Sequence, residues 1–307
     1  MPGENLTRAE AAERAAIVTT HSYEVELDLT GGTAAGNGDT FGSRTVARFA
    51  ATPGASTFID AITESVSAVT LNGVTLDPAT VSDGIRITLA DLQAENELVV
   101  ESQMRYSTSG EGLHRFVDPV DDEVYLYSQF EVPDARRVFA VFEQPDEKAT
   151  FAFTVTAPAR WQVVSNQTTP EPEPAGGGPD GRAIATWRFA PTPRISSYIT
   201  AIVAGPYQVW RDELVSSDGR VIPLGVFARA SLAEHMDADY VFDITKKGFA
   251  YFEEKFERAY PFEKYDQLFV PEFNAGAMEN AGCVTFTETY VFRSKVTDAI
   301  KERRVVT

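Results

Sequence analysis

Short segments in which polar and apolar residues alternate fill most of the chain up to about residue 205. The segment HSYEVELDL at 21–29 has a clear period of two. Because successive side chains of a strand point to opposite faces, this period predicts strands with one buried face. Gly, Asn, Asp or Pro separate the segments, and Asn72-Gly73 is typical of a two-residue hairpin turn. Further strands are predicted at 45–50, 57–61, 65–76, 84–90, 96–106, 149–158, 161–166, 183–190 and 197–205.

Helical spacing is the exception in this chain. Residues 6–16 predict one short helix with Asn5 or Thr7 as its N-cap. Residues 231–260 predict a long amphipathic helix that opens with a capping box and is stopped by Pro261. Strand segments follow at 265–273 and 282–292.

This change of period predicts two domains. The first, residues 1–205, is expected to be antiparallel and mainly β, and the second, residues 206–307, to be a partial α/β unit. The capping box of the long helix is assigned to Ser231 and Glu234. The chain closes on an uncapped apolar run, KERRVVT, so the second domain is expected to be incomplete.

Charge and cysteine content narrow the function. The chain of 307 residues carries 45 Asp and Glu against 27 Lys and Arg, a net charge of −18. Such a surface repels nucleic acid and anionic lipid, so neither is an expected partner, whereas cationic ligands are favoured. Cys283 is the only cysteine, and the N-terminus has no secretory pattern, which predicts a soluble cytoplasmic protein. The sequons at Asn5 and Asn166 are therefore interpreted as chance matches.

Several familiar catalytic patterns are missing from the sequence. The three histidines, His21, His114 and His235, are scattered, and no H-E-x-x-H zinc pattern occurs. The glycines of EPEPAGGGPDG at 171–181 formally match a dinucleotide fingerprint. A turn and then a strand follow them, rather than the helix that nucleotide binding requires. We therefore interpret 171–181 as a loop.

Two segments carry candidate chemistry. The segment NAGAMEN at 274–280 combines small residues, which leave a strand edge open to an extended peptide, with the carboxylate of Glu279. In the second segment, Gln129 and Glu131 are two residues apart and are predicted to share one face of a strand. Two acids in one cleft repel each other unless a cation such as a peptide's α-ammonium group is bound. The residues alone also fit an ordinary Gly/Ala turn and a surface ion-pair network.

These segments resemble the aminopeptidase N family, zinc metallo-aminopeptidases of the alanyl aminopeptidase type. GAMEN at 276–280 is similar to the family's exopeptidase motif. SQFEVPDARRVF at 128–139 and QPDEKATF at 144–151 are similar to its other marked segment, and the agreement extends from HSYEVELDL to ETYVF at 288–292. The resemblance implies an N-terminal β-saddle domain followed by a thermolysin-like catalytic domain.

The resemblance also implies residue roles. Glu279 and Glu131 would hold the substrate's free amine, Gln129 would line the first side-chain pocket, and Gly276, Ala277 and Met278 would pair with the substrate backbone. Asn280 completes the expected substrate-binding set. The leukotriene-hydrolysing branch of the family typically has Gln in place of Glu131, so a plain aminopeptidase is favoured.

The zinc-binding helix of the family would follow a segment similar to DAIKERRVVT at 298–307. We therefore expect the parent protein to be a zinc enzyme that removes residues one at a time from peptides with a free N-terminus. The 307-residue chain itself is expected to contain no catalytic residue, to hold no zinc, to be inactive and to be a monomer. A noncatalytic β-rich scaffold that binds a partner stays open as the alternative. A carbohydrate-binding β-sandwich is a third hypothesis, supported only by the strand count and three Trp.

Overall fold

The computed structural model describes residues 5–33 and 38–301. Residues 302–307, on which the predicted terminal apolar run mostly falls, lie outside the described residues. The first element is helix α1, Arg8–Ile17, which confirms the predicted short helix. The Thr7 hydroxyl accepts from the Glu10 amide, and the Glu10 carboxylate accepts from the Thr7 amide. Thr7 is therefore the N-cap, with a capping box that the sequence reasoning missed.

An eight-stranded sheet forms the largest layer of the first half. Its strand order is β12-β13-β10-β1-β2-β7-β4-β5. In chain order its strands are β1 (Val18–Asp28), β2 (Thr40–Ala51), β4 (Ser65–Leu71), β5 (Val74–Leu76), β7 (Glu95–Arg105), β10 (Thr150–Pro158), β12 (Glu173–Gly177) and β13 (Ala183–Arg188). Burial alternates along β1 and β7, as the period of two predicts.

The predicted hairpin turn is present in this sheet, and one pair of its strands is parallel although antiparallel pairing was predicted. Asn72 and Gly73 join β4 to β5 with φ angles of 52° and 79°, the left-handed conformation that this hairpin turn needs. Most neighbouring strands are antiparallel, but β1 and β10 are parallel. Alternation could not reveal the parallel pair, because a strand's own pattern is the same whichever way its neighbour runs.

Two smaller sheets complete what we call the first β unit. A four-stranded sheet has the order β11-β14-β9-β8, and β3 pairs with β6. These strands are β3 (Thr57–Asp60), β6 (Arg86–Leu89), β8 (Gly112–Val117), β9 (Val124–Gln129), β11 (Gln162–Ser165) and β14 (Ile202–Gly205). The short helix α2, Pro78–Val81, lies between β5 and β6. Buried aromatic rings fill the core, with Tyr23 stacked on Phe151 at 5.0 Å between ring centroids.

A five-stranded mixed sheet with the order β15-β16-β17-β19-β18, together with helix α3, forms what we call the second unit. Its strands are β15 (Gln208–Val215), β16 (Val221–Ala228), β17 (Tyr265–Val270), β18 (Ala277–Met278) and β19 (Cys283–Thr287), and α3 is Ala238–Phe256. Leu224 and Val226 of the sheet belong to one core cluster with Val241 and Phe242 of the helix. The mainly β fold with an α/β second part agrees with the predicted fold class. The division into domains at residues 205 and 206 stays a prediction.

The predicted bounds of the long helix were wrong at both ends. Residues Ala230–His235 form a 3-10 helix, and α3 begins only after Asp237, whose carboxylate accepts from the Tyr240 amide. The Ser231 hydroxyl donates to Asp118 at 2.5 Å and so does not act as a cap. At the other end Glu257 adopts a left-handed φ of 50°, which ends the helix before Pro261.

Three further segments differ from the prediction. Part of the presumed loop at 171–181 is the exposed edge strand β12, although β13 does follow it as expected. Residues Ser197–Ile199 form a 3-10 turn before β14. The last predicted strand stops at Thr287, where Glu288–Tyr290 form another 3-10 turn. Other 3-10 turns lie at Thr30–Thr33 and Ala135–Arg137.

Candidate functional site

The GAMEN segment, residues 276–280, contains the edge strand of the second sheet. Within the part of the chain that the structure describes, β18 pairs only with β19. The Gly276 carbonyl accepts from the Thr287 amide at 3.0 Å, and Ala277 faces Phe286 one position on. Hydrogen-bonded and non-hydrogen-bonded pairs alternate in antiparallel strands, so the N–H and C=O of Ala277 point away from β19. The open edge therefore presents one residue's donor and acceptor to an incoming strand.

Side chains of the GAMEN segment divide into two groups. Ala277 and Glu279 are exposed, whereas Met278 and Asn280 are buried, with 0% and 1% of their surfaces exposed. Met278 packs in a cluster that includes Tyr127. The predicted substrate-binding roles of Met278 and Asn280 stay predictions, and the side chains of both residues are buried.

Gly276 is tightly enclosed on one side. A Cβ atom at this position would lie 2.8 Å from the Tyr290 hydroxyl oxygen, which is closer than real Cβ contacts. Tyr290 itself packs against the core cluster that contains Val241 and Phe242 of α3. A cavity of about 570 Å³ adjoins this point, lined by Met236, Tyr240, Phe269, Gly276, Ala277 and Tyr290 among others.

Gln129 and Glu131 do not share a strand face, so that prediction was wrong. Strand β9 ends at Gln129, and Glu131 lies in the turn that follows. The Asp134 amide donates to the Phe130 carbonyl at 3.2 Å, which closes the turn, and Pro133 has no amide to continue a ladder. Glu131 is exposed, while Gln129 is half-buried and its side-chain oxygen has no hydrogen-bond partner within the described ranges.

Glu143, a buried residue that the sequence analysis did not single out, holds the backbone that follows the turn of Glu131. Glu143 accepts from the Arg136 amide at 2.8 Å and from the Ser197 hydroxyl at 2.6 Å. Burial raises the pKa of Glu143 to about 7, the neighbouring Asp60 adds to the rise, and the hydrogen bonds and Arg136 oppose it. The backbone of Arg136, two residues after this turn, is therefore held by a buried carboxyl group whose pKa is raised.

Next, the loop before β18 lies on the strands that lead to Gln129. The Tyr127 hydroxyl donates to the Glu272 carbonyl at 3.2 Å, and the rings of Tyr127 and Phe273 are 5.5 Å apart. The Asn274 side chain donates to the Ser109 carbonyl. Strand β9, which carries Tyr127, ends two residues later at Gln129. Strand β18 begins three residues after Asn274.

This packing joins the strand that leads to Gln129 with the loop that leads to β18. The carboxylates of Glu131 and Glu279 come from separate units, one from the first β unit and one from the second. A cationic group that met both would therefore bridge the two units.

The described residues do not fit a zinc ion. No group of three or more His, Cys, Asp or Glu in that part of the chain is arranged to hold a metal. Each histidine instead has a separate carboxylate neighbour: His21 lies near Glu95, His114 near Glu272 and His235 near Glu234. Cys283 is buried, which raises the pKa of its thiol to about 12 and opposes thiolate formation. The expected absence of zinc binding by this chain stays a prediction.

The fold and the edge together define a class of protein. An open strand edge followed by a carboxylate is the kind of site that binds an extended peptide by its backbone and its amine. Residues 60–199 match the Peptidase M1 N-terminal domain, and residues 240–307 match the Peptidase family M1 domain. The chain belongs to peptidase family M1, whose members are in general zinc-dependent.

Relatives support this assignment. The whole chain is 57% identical to Aminopeptidase N of Streptomyces lividans, of which it covers 34%. Aminopeptidase N of Acetobacter pasteurianus is 35% identical over 53% of this chain and 43% of that protein, and Aminopeptidase N of Mus musculus is 32% identical over 60% of the chain and 18% of that protein. The chain thus spans about a third of its Streptomyces relative and is similar to an aminopeptidase N-terminal portion. Within the described residues, no helix combines the length and apolarity that a membrane crossing requires.

Proposed function

We propose that this chain supplies the amine-binding and strand-pairing half of an aminopeptidase site. The parent enzyme, meaning the longer polypeptide that carries this chain, removes single residues from the free N-terminus of peptides. Its zinc ligands lie in sequence outside the described residues. The observation that carries the proposal is the open edge of β18, with the backbone groups of Ala277 facing outward and Glu279 exposed two residues later.

In this proposal the peptide lies antiparallel or parallel to β18 and pairs with Ala277. The carboxylates of Glu279 and Glu131 hold its α-ammonium group from two sides, because a charged donor binds best where two acceptors converge. Gln129, with its unpartnered side-chain oxygen, lines the pocket for the first side chain. Fixing the amine sets the position of the first peptide bond, which makes the enzyme an exopeptidase.

The charge of the chain bears on its substrates and partners. The net charge of −18 favours a cationic substrate end and disfavours nucleic acid or an anionic membrane as partner. We assign the protein to the cytoplasm, as a monomer. The scaffold alternative predicts binding without cleavage in the parent enzyme, and no observation specifically favours it.

Replacing Ala277 with Pro in the parent enzyme tests the strand edge. Proline removes the outward N–H and leaves the hydrogen bonds of β18 to β19 intact. One lost backbone hydrogen bond predicts a fall in kcat/KM of about 3- to 10-fold for a free-amine peptide. Ala175→Pro places the same substitution on the exposed edge strand β12 and should leave kcat/KM unchanged.

The products of the wild-type parent enzyme complete this test. Mass analysis should show residues leaving one at a time from the free N-terminus, with the N-acetylated peptide spared. Cleavage inside the N-acetylated peptide, or equal effects of the two proline substitutions, would overturn the proposal.

A further inference from the structure

Asn166 of the first β unit holds the C-terminal end of the GAMEN segment. This residue directly follows β11, and its side-chain amide donates to the Ala281 carbonyl and to the Ile199 carbonyl, each at 2.9 Å. Its side-chain oxygen accepts from the Ala201 amide at 3.0 Å. Together with the Ala281 amide, which donates to the Ile199 carbonyl at 3.3 Å, this buried side chain connects the residue after GAMEN to the backbone that leads into β14.

The Asn166 side chain is buried, and Gly282 packs closely against the Asn166 backbone. Only 3% of its surface is exposed, so the sequon at this position is inaccessible for glycosylation in the folded chain. Gly282 lies against it with a φ of 68°, and a Cβ at Gly282 would lie 2.6 Å from the Asn166 carbonyl oxygen. This close approach adds a steric contact to the hydrogen bonds at the same end of the segment.

The other end of the segment is held by His114 on β8. The His114 Nδ1 accepts from the Gly110 amide at 3.0 Å, so the proton resides on Nε2. The Nε2 lies 3.1 Å from a carboxylate oxygen of Glu272. Burial lowers the pKa of His114, which favours this neutral form, although the Glu272 carboxylate acts in the opposite direction.

We propose that Asn166 is a positioning residue that fixes the substrate-pairing edge of the GAMEN segment to the first β unit, with the His114–Glu272 hydrogen bond as its counterpart at the other end. The inference rests on the proposed function. Strand β18 pairs at only two positions, so its own ladder holds it weakly. The side-chain contacts at Ala281 and Glu272 therefore help to position the outward groups of Ala277, together with those of Tyr127 and Asn274.

Asn166→Asp is the central variant. Aspartate keeps the shape and the acceptor for Ala201 but loses both donors. The Ala281 carbonyl then loses its Asn166 donor and the Ile199 carbonyl keeps only the Ala281 amide, while both carbonyls face a carboxylate. Hydrogen–deuterium exchange of the 307-residue chain should become at least about tenfold faster at 277–282 and stay unchanged in β1 and β7.

Asn96→Asp is the matched control. The Asn96 side chain is also buried, and its amide donates to the Gln93 carbonyl at 2.7 Å, far from β18 in the fold. This variant should change exchange at 277–282 less than twofold. Equal acceleration in both variants, or no local acceleration in Asn166→Asp, would overturn the inference.

Glu272 provides a second route that does not depend on a buried substitution. Its side chain is 57% exposed, so changing it is compatible with folding. Glu272→Ala removes the acceptor for His114 and should speed exchange at 272–276, whereas Glu272→Gln keeps an acceptor and should restore slow exchange. Failure of this rescue would show that the hydrogen bond does not hold the loop.

Kinetics of the parent enzyme then separate this inference from the proposed function. If Asn166→Asp frees the segment and also lowers kcat/KM for free-amine peptides, both stand. If the segment is freed while kcat/KM is unchanged, the positioning role stands and peptide binding at β18 fails. If exchange is unchanged, the positioning role fails whatever the activity.

Discussion

The eight-stranded sheet and the short strand β18 are held in place by different interactions. Strands β2 and β7 pair continuously from Thr40 with Arg105 to Ala50 with Glu95, and their buried faces pack into one aromatic core. Strand β18 pairs with β19 at Ala277 and Met278, and contacts of Asn166 with the Ala281 carbonyl and of His114 with the Glu272 carboxylate help to hold the residues on either side of it. The sheet is therefore a scaffold set by its hydrophobic pattern, and the edge is an element positioned by others.

Stability and the candidate function therefore lie in different parts of the molecule. A core of interlocked rings resists local opening, whereas a two-residue edge with outward backbone groups remains available for pairing. Changes to the core should lower the stability of the whole molecule. Changes to Asn166 or Glu272 should speed hydrogen exchange around β18 with little effect on the rest of the molecule.

Phe151→Ala should have the largest effect on stability. Its ring is fully buried between Tyr23, Phe139 and Phe153, and truncation leaves a cavity. We expect the free energy of unfolding to fall by about 3–5 kcal/mol in denaturant titrations. Val74→Ala, at a residue that is 62% exposed, should change it by less than about 0.5 kcal/mol.

A loss of unfolding free energy in Phe151→Ala as small as that in Val74→Ala would contradict the role of the aromatic core. Faster hydrogen exchange in Phe151→Ala at 277–282 alone would also contradict it, since the core and the edge would then not be separate regions of stability.

Glu143→Gln should change the pH dependence of stability. The pKa of Glu143 is raised from 4.5 to about 7 in the folded chain, so the folded state binds more protons than the unfolded state between these values. Stability from this group is therefore lost as pH rises from about 4.5 to about 7, by about 3 kcal/mol in all. Glutamine can still accept from the Arg136 amide and donate to the Ser197 hydroxyl, and it removes the titration.

Denaturant titrations at pH 5 and pH 8 check this expectation. The wild type should lose stability relative to Glu143→Gln on going to pH 8, and the exposed control Glu263→Gln should follow the wild type. Parallel pH profiles for wild type and Glu143→Gln would contradict a raised pKa at the base of the Glu131 turn.

Periodicity predicted the scaffold well, and its failures have physical causes. Alternation in β1 and β7 and the Asn72-Gly73 turn are local signals, which the fold preserves. The start of α3 was misplaced because Ser231 bonds to Asp118, which is 113 positions away in sequence. Glu131 was misplaced because a backbone hydrogen bond closes a turn after β9.

The candidate site was predictable only in part for the same reason. The GAMEN letters identify the segment, because small residues and an acid in a row suggest an open edge. Asn166 bonds to the Ala281 carbonyl, His114 lies near the Glu272 carboxylate and Glu143 accepts from the Ser197 hydroxyl. These partners are 115, 158 and 54 positions away in sequence, and no periodic pattern marks such residues. Their roles follow from tertiary contacts alone.

We propose that Glu131 and Glu279, carried by the two units, together bind the substrate's α-ammonium group. The most direct measurement is kcat/KM of the parent enzyme for an alanyl substrate with a free amine and for its N-blocked counterpart, in Glu131→Gln and in Glu279→Gln. Each variant should lose about 30-fold or more on the free-amine substrate and clearly less on the blocked one, since glutamine keeps the shape but removes the charge. If both variants stayed within about twofold of wild type on the free-amine substrate, the two acids would not anchor the amine.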